Sequence, residues 1–240
     1  MRILVTNDDA IGASQLLPLI RWCQKHGDVT AVVPKYEQSG KSHGIELHKA
    51  FEAKQVELAP GVTVWSVDST PADCVRFAVL GLGMEFDLVI SGINRGLNIG
   101  ADMMYSGTVS AICEAVNLGI PAVAFSTAPE YYDQAVGQLD RVWDYFQQHD
   151  LLSLHNLYNV NIPCDPKQIR ITHQGGPYYS DNFLLSENDL YRPCGHSIWV
   201  DSHDDTLDTD ATLHGNLTIT PLTIDRTEKT IYAKLSALNP

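Results

Sequence analysis

The sequence predicts an α/β fold: a Rossmann-like, mainly parallel sheet with helices on both faces, followed by a C-terminal β-rich arm or subdomain. Three observations lead there. Short apolar runs of strand length alternate with stretches of helical period as far as about residue 162. Several of those runs are apolar throughout, as strands covered on both faces are. From about residue 175 aromatics, prolines and polar residues replace any sustained helical period. The predicted division is therefore a core over 1–174 and an arm over 175–240 that returns to the core and serves oligomer contacts.

The chain opens on Ile3-Leu4-Val5-Thr6 and stops on Asn7-Asp8-Asp9. A β-branched, apolar run that ends in polar residues reads as a buried strand. In an open α/β sheet ligands bind beyond the carboxyl ends of the strands, so Asp8 and Asp9 stand where a ligand would. Two adjacent carboxylates stay ionised together only with positive charge between them. Mg²⁺, commonly held by one or two carboxylates plus phosphate oxygens, suits that demand; an Asn-Asp-Asp turn is the plain alternative.

Leu16, Leu17, Ile20 and Cys23 predict a helix over 13–26, with Gly27 as its stop. A strand over 29–33 ends at Pro34 and leads into a polar loop, 35–43. There Gly40-Lys41-Ser42 imitates the tail of a P-loop, but the required earlier glycine is Lys35 and no amphipathic helix follows. Ser39 and Ser42 remain as ligand hydroxyls or as solvated loop residues. Strands are predicted over 45–50, 56–59 and 62–67, the last two joined by Pro60-Gly61. Ser69 or Thr70 before Pro71 starts a helix whose buried stripe is Val75, Ala78, Val79 and Leu82.

The next strand, 86–91, runs into a loop with Gly92, Gly96 and Gly100, where the backbone passes close to itself or to a ligand. GxGxxG is absent, so no dinucleotide fingerprint is present. Ser106-Gly107-Thr108 then opens a helix carrying Val109, Ile112, Cys113 and Val116 at helical spacing, closed by Gly119 and Pro121. Ser106 suits an N-cap, and such a helix start also offers free N–H groups and two hydroxyls to an anion. A strand over 122–126, a surface helix marked by Val136, Leu139, Val142, Trp143 and Phe146, and a strand over 158–162 complete the core. In the arm, Asp201, Asp204, Asp205, Asp208 and Asp210 lack EF-hand spacing and read as a solvated loop; 217–220 reads as a late strand.

The 240 residues are 44% hydrophobic, enough for a sizeable core, yet no run approaches a membrane span of ~20 apolar residues. No signal-peptide pattern is found at the start. Five cysteines without a CxxC pair argue against a disulfide framework and a structural zinc site. The cytoplasm is the expected location. A net charge of −13 counts against binding a nucleic-acid duplex, which needs a basic footprint. A small phosphate substrate stays compatible if a metal and helix N-termini supply positive charge locally.

With these residues in view, the chain resembles the SurE family, the stationary-phase survival proteins that act as metal-dependent nucleotide phosphatases. The resemblance rests on Val5-Thr6-Asn7-Asp8-Asp9, Gln38-Ser39-Gly40, Ser91-Gly92-Ile93-Asn94-Arg95-Gly96, then Asn98, Gly100, Asp102 and Tyr105-Ser106-Gly107-Thr108-Val109. It continues in Gly119-Ile120-Pro121, Asn159-Val160-Asn161-Ile162-Pro163 and Thr220-Pro221-Leu222. The loop joined to Tyr-Ser-Gly-Thr is the most specific part. The resemblance implies one divalent cation per subunit, Mg²⁺ or Mn²⁺, on Asp8, Asp9, Ser39 and Asn94. Asn98, Ser106, Gly107 and Thr108 would then cradle phosphate. One departure is Ala10, where the family usually has glycine: a position that requires φ > 0 would strain Ala10, and one in contact with substrate would be narrowed by its methyl group.

The expected function is hydrolysis of nucleoside 5′- and 3′-monophosphates, and of short polyphosphate, by a homodimer or homotetramer. Asp8 and Asp9 are the expected catalytic residues, with Asp8 activating water or attacking phosphorus directly. The alternative is a nucleotide-binding protein with weak or lost catalysis. A haloacid-dehalogenase-type phosphatase would need Asp-x-Asp, and Ala10 stands at its second carboxylate; a phospho-receiver domain would need a lysine after its fifth strand, and 120–126 has none.

Overall fold

The computed structural model describes residues 1–58 and 60–239. In chain order its strands and helices are β1 (Arg2–Thr6), α1 (Leu16–Cys23), β2 (Asp28–Pro34), β3 (Ala53–Val56), β4 (Thr63–Val67), α2 (Pro71–Arg76), β5 (Leu88–Arg95), α3 (Gly107–Asn117), β6 (Ala122–Thr127), α4 (Leu139–Gln148), α5 (Leu151–Leu154) and β7 (Leu157–Ile162). There follow β8 (Ile169–Ile171), β9 (Tyr179–Ser180), β10 (Phe183–Glu187), β11 (Leu190–Pro193), β12 (His196–Ser197), α6 (Asp208–Leu213), β13 (Leu217–Pro221) and α7 (Lys229–Leu235).

Nine of these strands form one sheet in the order β3-β4-β2-β1-β5-β6-β7-β13-β8. From β4 through to β7 all neighbours run parallel; β3 is antiparallel at one edge, and β13 runs antiparallel to β7. The predicted α/β class, with its mainly parallel sheet and additional C-terminal strands, is the observed one. Its two faces explain the continuously apolar strands. Ile3 and Val5 of β1 join the core under α1 and α4 with Leu19, Ile20, Phe125 and Phe146. Leu4, between them, joins the opposite core with Val75, Ala78, Ala111 and Ile112 of the α2–α3 side. Successive side chains point to opposite faces, so each residue of a doubly covered strand is apolar.

Several boundaries differ from expectation. The helix expected over 13–26 is regular only from Leu16 to Cys23, flanked by turns. Starting at Leu16 puts Pro18 in the first turn, where its missing N–H costs nothing; starting at 13 would bury it in the helix interior. The strand expected over 45–50 does not form. Glu46 donates its N–H to Asp73 Oδ2 at 2.8 Å, and its own carboxylate accepts from His48 and Lys49 N–H, so side chains satisfy this backbone in place of a neighbouring strand. The strand expected over 56–59 lies earlier, at β3; its expected last residue, Ala59, lies outside the described residues. Thr70 caps α2 by accepting from Asp73 N–H at 3.1 Å, with Pro71 at the first helical position.

The arm is not separate from the sheet. β13 inserts between β7 and β8, while the β10–β11 hairpin stands out with Phe183, Leu185, Leu190 and Tyr191 exposed. The acidic cluster is only partly a solvated loop, which corrects that expectation. Asp208 is fully buried, accepting from the N–H groups of Gly100 and Gly175; Asp210 is buried under Trp199 Nε1, Ser202 and the Asp204 N–H. Hydrogen-bond donors rather than water surround these two carboxylates. Among the described residues no helix is long and apolar enough to cross a membrane. All five cysteines are free thiols.

Candidate active site

The strand order reverses between β1 and β5, the switch point at which open α/β sheets bind ligands. Asp8 and Asp9 leave the end of β1, Asn94 and Arg95 end β5, and the loop after β2 brings Glu37 and Ser39 across. Gln38 N–H donates to the Asp8 carbonyl at 2.8 Å, tying that loop to the β1 end. Asp9, Ser39, Glu37, Arg95 and Tyr132 line one cleft of about 350 Å³.

Asp8 lies at the back of this arrangement, 3% exposed, against the start of α3. The Thr108 hydroxyl donates to Asp8 Oδ1. Gly107 is a close approach: a Cβ there would come within 2.9 Å of Asp8 Cβ and 3.1 Å of Oδ2. Burial pushes the Asp8 carboxyl up, and the Thr108 hydrogen bond opposes that shift. The half-buried Asp9 is pushed up to about 6, by desolvation first and then by the charge of Asp8; the Arg95 N–H, 3.0 Å from Asp9 Oδ2, pulls the other way. Glu37 raises both. Three carboxylates therefore face one region, with the Arg95 guanidinium as the cation acting on Asp9.

The four residues named as metal ligands suit a hard cation. Asn94 gives its amide nitrogen to Gly96 O at 2.8 Å, which leaves Oδ1 as its free donor atom. Ser39 donates its proton to Glu37 Oε1 at 2.8 Å, which leaves the hydroxyl lone pairs. With Asp8 and Asp9 these make an all-oxygen set that carries the excess negative charge a divalent ion would neutralise.

The phosphate-cradle residues divide. Ser106 caps α3, its Oγ accepting from Val109 N–H at 3.1 Å, and Gly107 and Thr108 form the first helical residues beside Asp8. Thr108 is wholly buried and its hydroxyl is committed to Asp8, so it does not point freely at a ligand. Asn98 is buried and is not among the residues lining the cleft. Its amide donates to Ser126 Oγ at 2.7 Å, and its backbone is held by Asn159 and Asn161. Ser42, the other loop hydroxyl considered, donates to Met104 O at 2.7 Å. Ala10 has φ +70°, so the position does require the left-handed region, and it is not among the residues lining the cleft.

Sequence reasoning missed Glu37, Arg95 and Tyr132. Glu37 and Arg95 are neighbours of predicted residues and were within reach of it. Tyr132 comes from the loop after β6, and nothing in its local sequence marks it. A further cavity of about 390 Å³, beyond α3 and lined by Ser110, Cys113, Leu222 and Arg226 among others, includes Ser42 but none of the expected metal ligands or phosphate-cradle residues.

Comparison with known proteins places these observations. The family described as "Survival protein SurE" matches residues 3–181. A 5'-nucleotidase SurE from Clostridium beijerinckii is 35% identical over 254 aligned positions, covering 99% of each chain. One from Synechococcus elongatus is 37% identical over 271 positions, covering 100% of this chain and 98% of its own. The crystal structure of the SurE protein from Aquifex aeolicus superposes with a TM-score of 0.74 at 27% identity, covering 99% of both chains.

Proposed function

The chain belongs to the SurE family, and on that premise we propose that it is a 5'-nucleotidase, a hydrolase of phosphoric monoesters. The observation that supports the proposal is the switch point itself: Asp8 and Asp9 follow β1 beside the Asn94 end of β5, Asp9 and Ser39 line one cleft, and Asp8 is held by Thr108 at the start of α3. Substrates are nucleoside 5′- and 3′-monophosphates, and short polyphosphate as a third class.

In this reading one divalent cation per subunit, Mg²⁺ or Mn²⁺, is held by those four residues and supplies charge neutralisation at the phosphate oxygens. The chain's own groups do the rest. The N–H groups at the start of α3 bind and orient the phosphate, aided by the positive end of the helix. Arg95 offsets part of the negative charge of the carboxylates. Asp8, its proton affinity raised by burial, accepts a proton from the attacking water. Ser106 positions the helix start through its cap, and Asn98 fixes the loop that leads to it. The hydrolysed bond is the P–O ester, and the nucleoside leaves with its oxygen. The protein acts in the cytoplasm as a homodimer or homotetramer, and its charge of −13 leaves no basic footprint for a nucleic-acid duplex.

The test is phosphate release from a panel of 5′- and 3′-monophosphates and short polyphosphates, with EDTA and after restoring Mg²⁺ or Mn²⁺. Metal-restored release from 5′-monophosphates is the expected result. Full activity in EDTA would remove the cation from the reading. Binding without release under every condition would make this a nucleotide-binding protein with lost catalysis.

A further inference from the structure

A second cluster of metal-ligating side chains lies well outside the β1–β5 switch point, in the arm. Asp201 and His203 come from the loop after β12, and His214 caps the C-terminal end of α6. One donor atom from each lies within 4.8 Å of the others. Asp201 Oδ2 is 3.0 Å from His203 Nδ1 and 3.1 Å from His214 Nε2. Donors about 2.0–2.2 Å from a shared tetrahedral zinc ion stand roughly 3.4 Å apart, so this spacing is close to that of a bound ion.

The surroundings orient each donor. Asp201 spends Oδ1 on the His203 N–H at 2.8 Å, which leaves Oδ2 free to face the rings. His203 adopts a left-handed backbone, φ +57°, and its ring stacks at 20° on that of His214. His214 Nδ1 stands 2.6 Å from Asp205 Oδ1. A carboxylate on one imidazole nitrogen fixes the tautomer whose other nitrogen presents a lone pair, the arrangement found behind metal-bound histidines. Arg170, 3.9 Å from Asp205, holds that carboxylate in turn.

We infer that Asp201, His203 and His214 form a binding site for a borderline divalent cation of the zinc class, backed by Asp205. Two imidazoles and one carboxylate favour Zn²⁺, Co²⁺ or Ni²⁺ over Mg²⁺, so the site differs in metal preference from the all-oxygen set at Asp8 and Asp9. The ion braces the 201–203 loop against the end of α6. Without it, Asp205 and Asp201 favour a proton on His214, which the ion must displace.

The test is calorimetric titration of Zn²⁺ into chelator-stripped protein at pH 8 with excess Mg²⁺ present, which disfavours the proton and fills the hard-oxygen site. One saturable equivalent is expected in the native chain. His203→Ala and His214→Gln should each weaken it at least about tenfold, and Asp205→Asn by about ten- to a hundredfold. His203 is highly exposed, so its loss does not threaten folding. Zn²⁺ should raise the melting temperature of the native chain and not of His203→Ala, while Mg²⁺-dependent phosphate release stays unchanged in that variant. Equal zinc affinity in His203→Ala, or no saturable binding in the native chain, would overturn the inference.

Discussion

Asp9→Asn should make the metal-free protein more stable while weakening its grip on a divalent cation. In the folded chain the Asp9 carboxyl is pushed up from 3.8 to about 6, by burial first and then by the charge of Asp8. A carboxyl that binds its proton more tightly folded than unfolded stabilises the fold below the unfolded value, and that stabilisation is lost as the pH rises through the folded value. At pH 7.5 the native chain carries the full cost of the ionised group. Each pKa unit is worth ~1.4 kcal/mol, so two units set a ceiling of ~3 kcal/mol. Asp9 is only half-buried, and solvent screening reduces this to about 1–2 kcal/mol. Asparagine keeps an oxygen to accept from the Arg95 N–H, so little else is lost. For a chain of this length the melting temperature should rise by roughly 3–6 °C in EDTA at pH 7.5. The assay is a pair of thermal melts across pH 4.5–8. The gain should shrink as the pH falls through about 6, where the native Asp9 takes up its own proton. A variant that melts at or below the native temperature, or a gain independent of pH, would refute the electrostatic reasoning.

Three more outcomes can be measured. Thr108→Val removes the hydroxyl that lowers the Asp8 carboxyl; the acid limb of kcat/KM should move to higher pH, with a loss of about 1.5–3 kcal/mol in transition-state stabilisation at neutral pH, and an unshifted profile would deny the link. Ala10→Gly relieves a left-handed backbone that costs an L-residue ~1–2 kcal/mol, partly offset by glycine's freedom in the unfolded chain; a net gain of about 0.5–1 kcal/mol in urea melts is expected, and a loss would contradict the strain. Light scattering should give a dimer or tetramer, because the β10–β11 hairpin leaves Phe183, Leu185, Leu190 and Tyr191 exposed; a monomer at micromolar concentration would contradict this.

What was legible in the sequence, and what was not, follows from how far each feature depends on distant parts of the chain. The end of β1 was legible because a doubly covered strand is apolar until it stops, and β1 stops just before Asn7-Asp8-Asp9. The end of β5 was not: the strand expected to stop at Ser91 runs on through Gly92 and Ile93 to Arg95, because Asn94 and Arg95 still pair with Ser126 and Thr127 of β6 past an irregularity in register. The start of α2 was legible because Thr70 and Pro71 act within one turn. Thr108 was only half legible. Its place at a helix start is local, but whether its hydroxyl meets a ligand or Asp8 depends on a residue 100 positions away. Asp208 and Asp210 read as solvated because their donors, Gly100, Gly175 and Trp199, are not adjacent to them in sequence. The 45–50 segment does not form its expected strand because what bonds its backbone is the side chain of Asp73, 27 positions from Glu46, and this leaves Ile45 and Leu47 exposed.

The geometry also bears on the order in which ligands bind. On the proposed function, phosphate approaching this site would meet the carboxylates of Asp8, Asp9 and Glu37, while the start of α3, the expected anion site, already holds Asp8 through Thr108. At an effective dielectric of ~20, two unit charges about 5 Å apart repel by ~3 kcal/mol, so two ionised carboxylates facing a doubly charged phosphate exceed what one helix start and one arginine return. A divalent cation between carboxylates and phosphate reverses the sign of that interaction. Cation and phosphate should therefore bind with strong positive coupling, each raising the other's affinity by the same factor. Calorimetry with inorganic phosphate, in EDTA and in excess Mg²⁺, measures this without turnover. Affinity should fall at least about tenfold in EDTA, a coupling of ~1.4 kcal/mol. Asp9→Asn should narrow the difference by removing one of the repelling charges. Equal phosphate affinity in the two conditions would mean that Arg95 and the helix start suffice, and that the carboxylates are protonated or turned away when phosphate arrives.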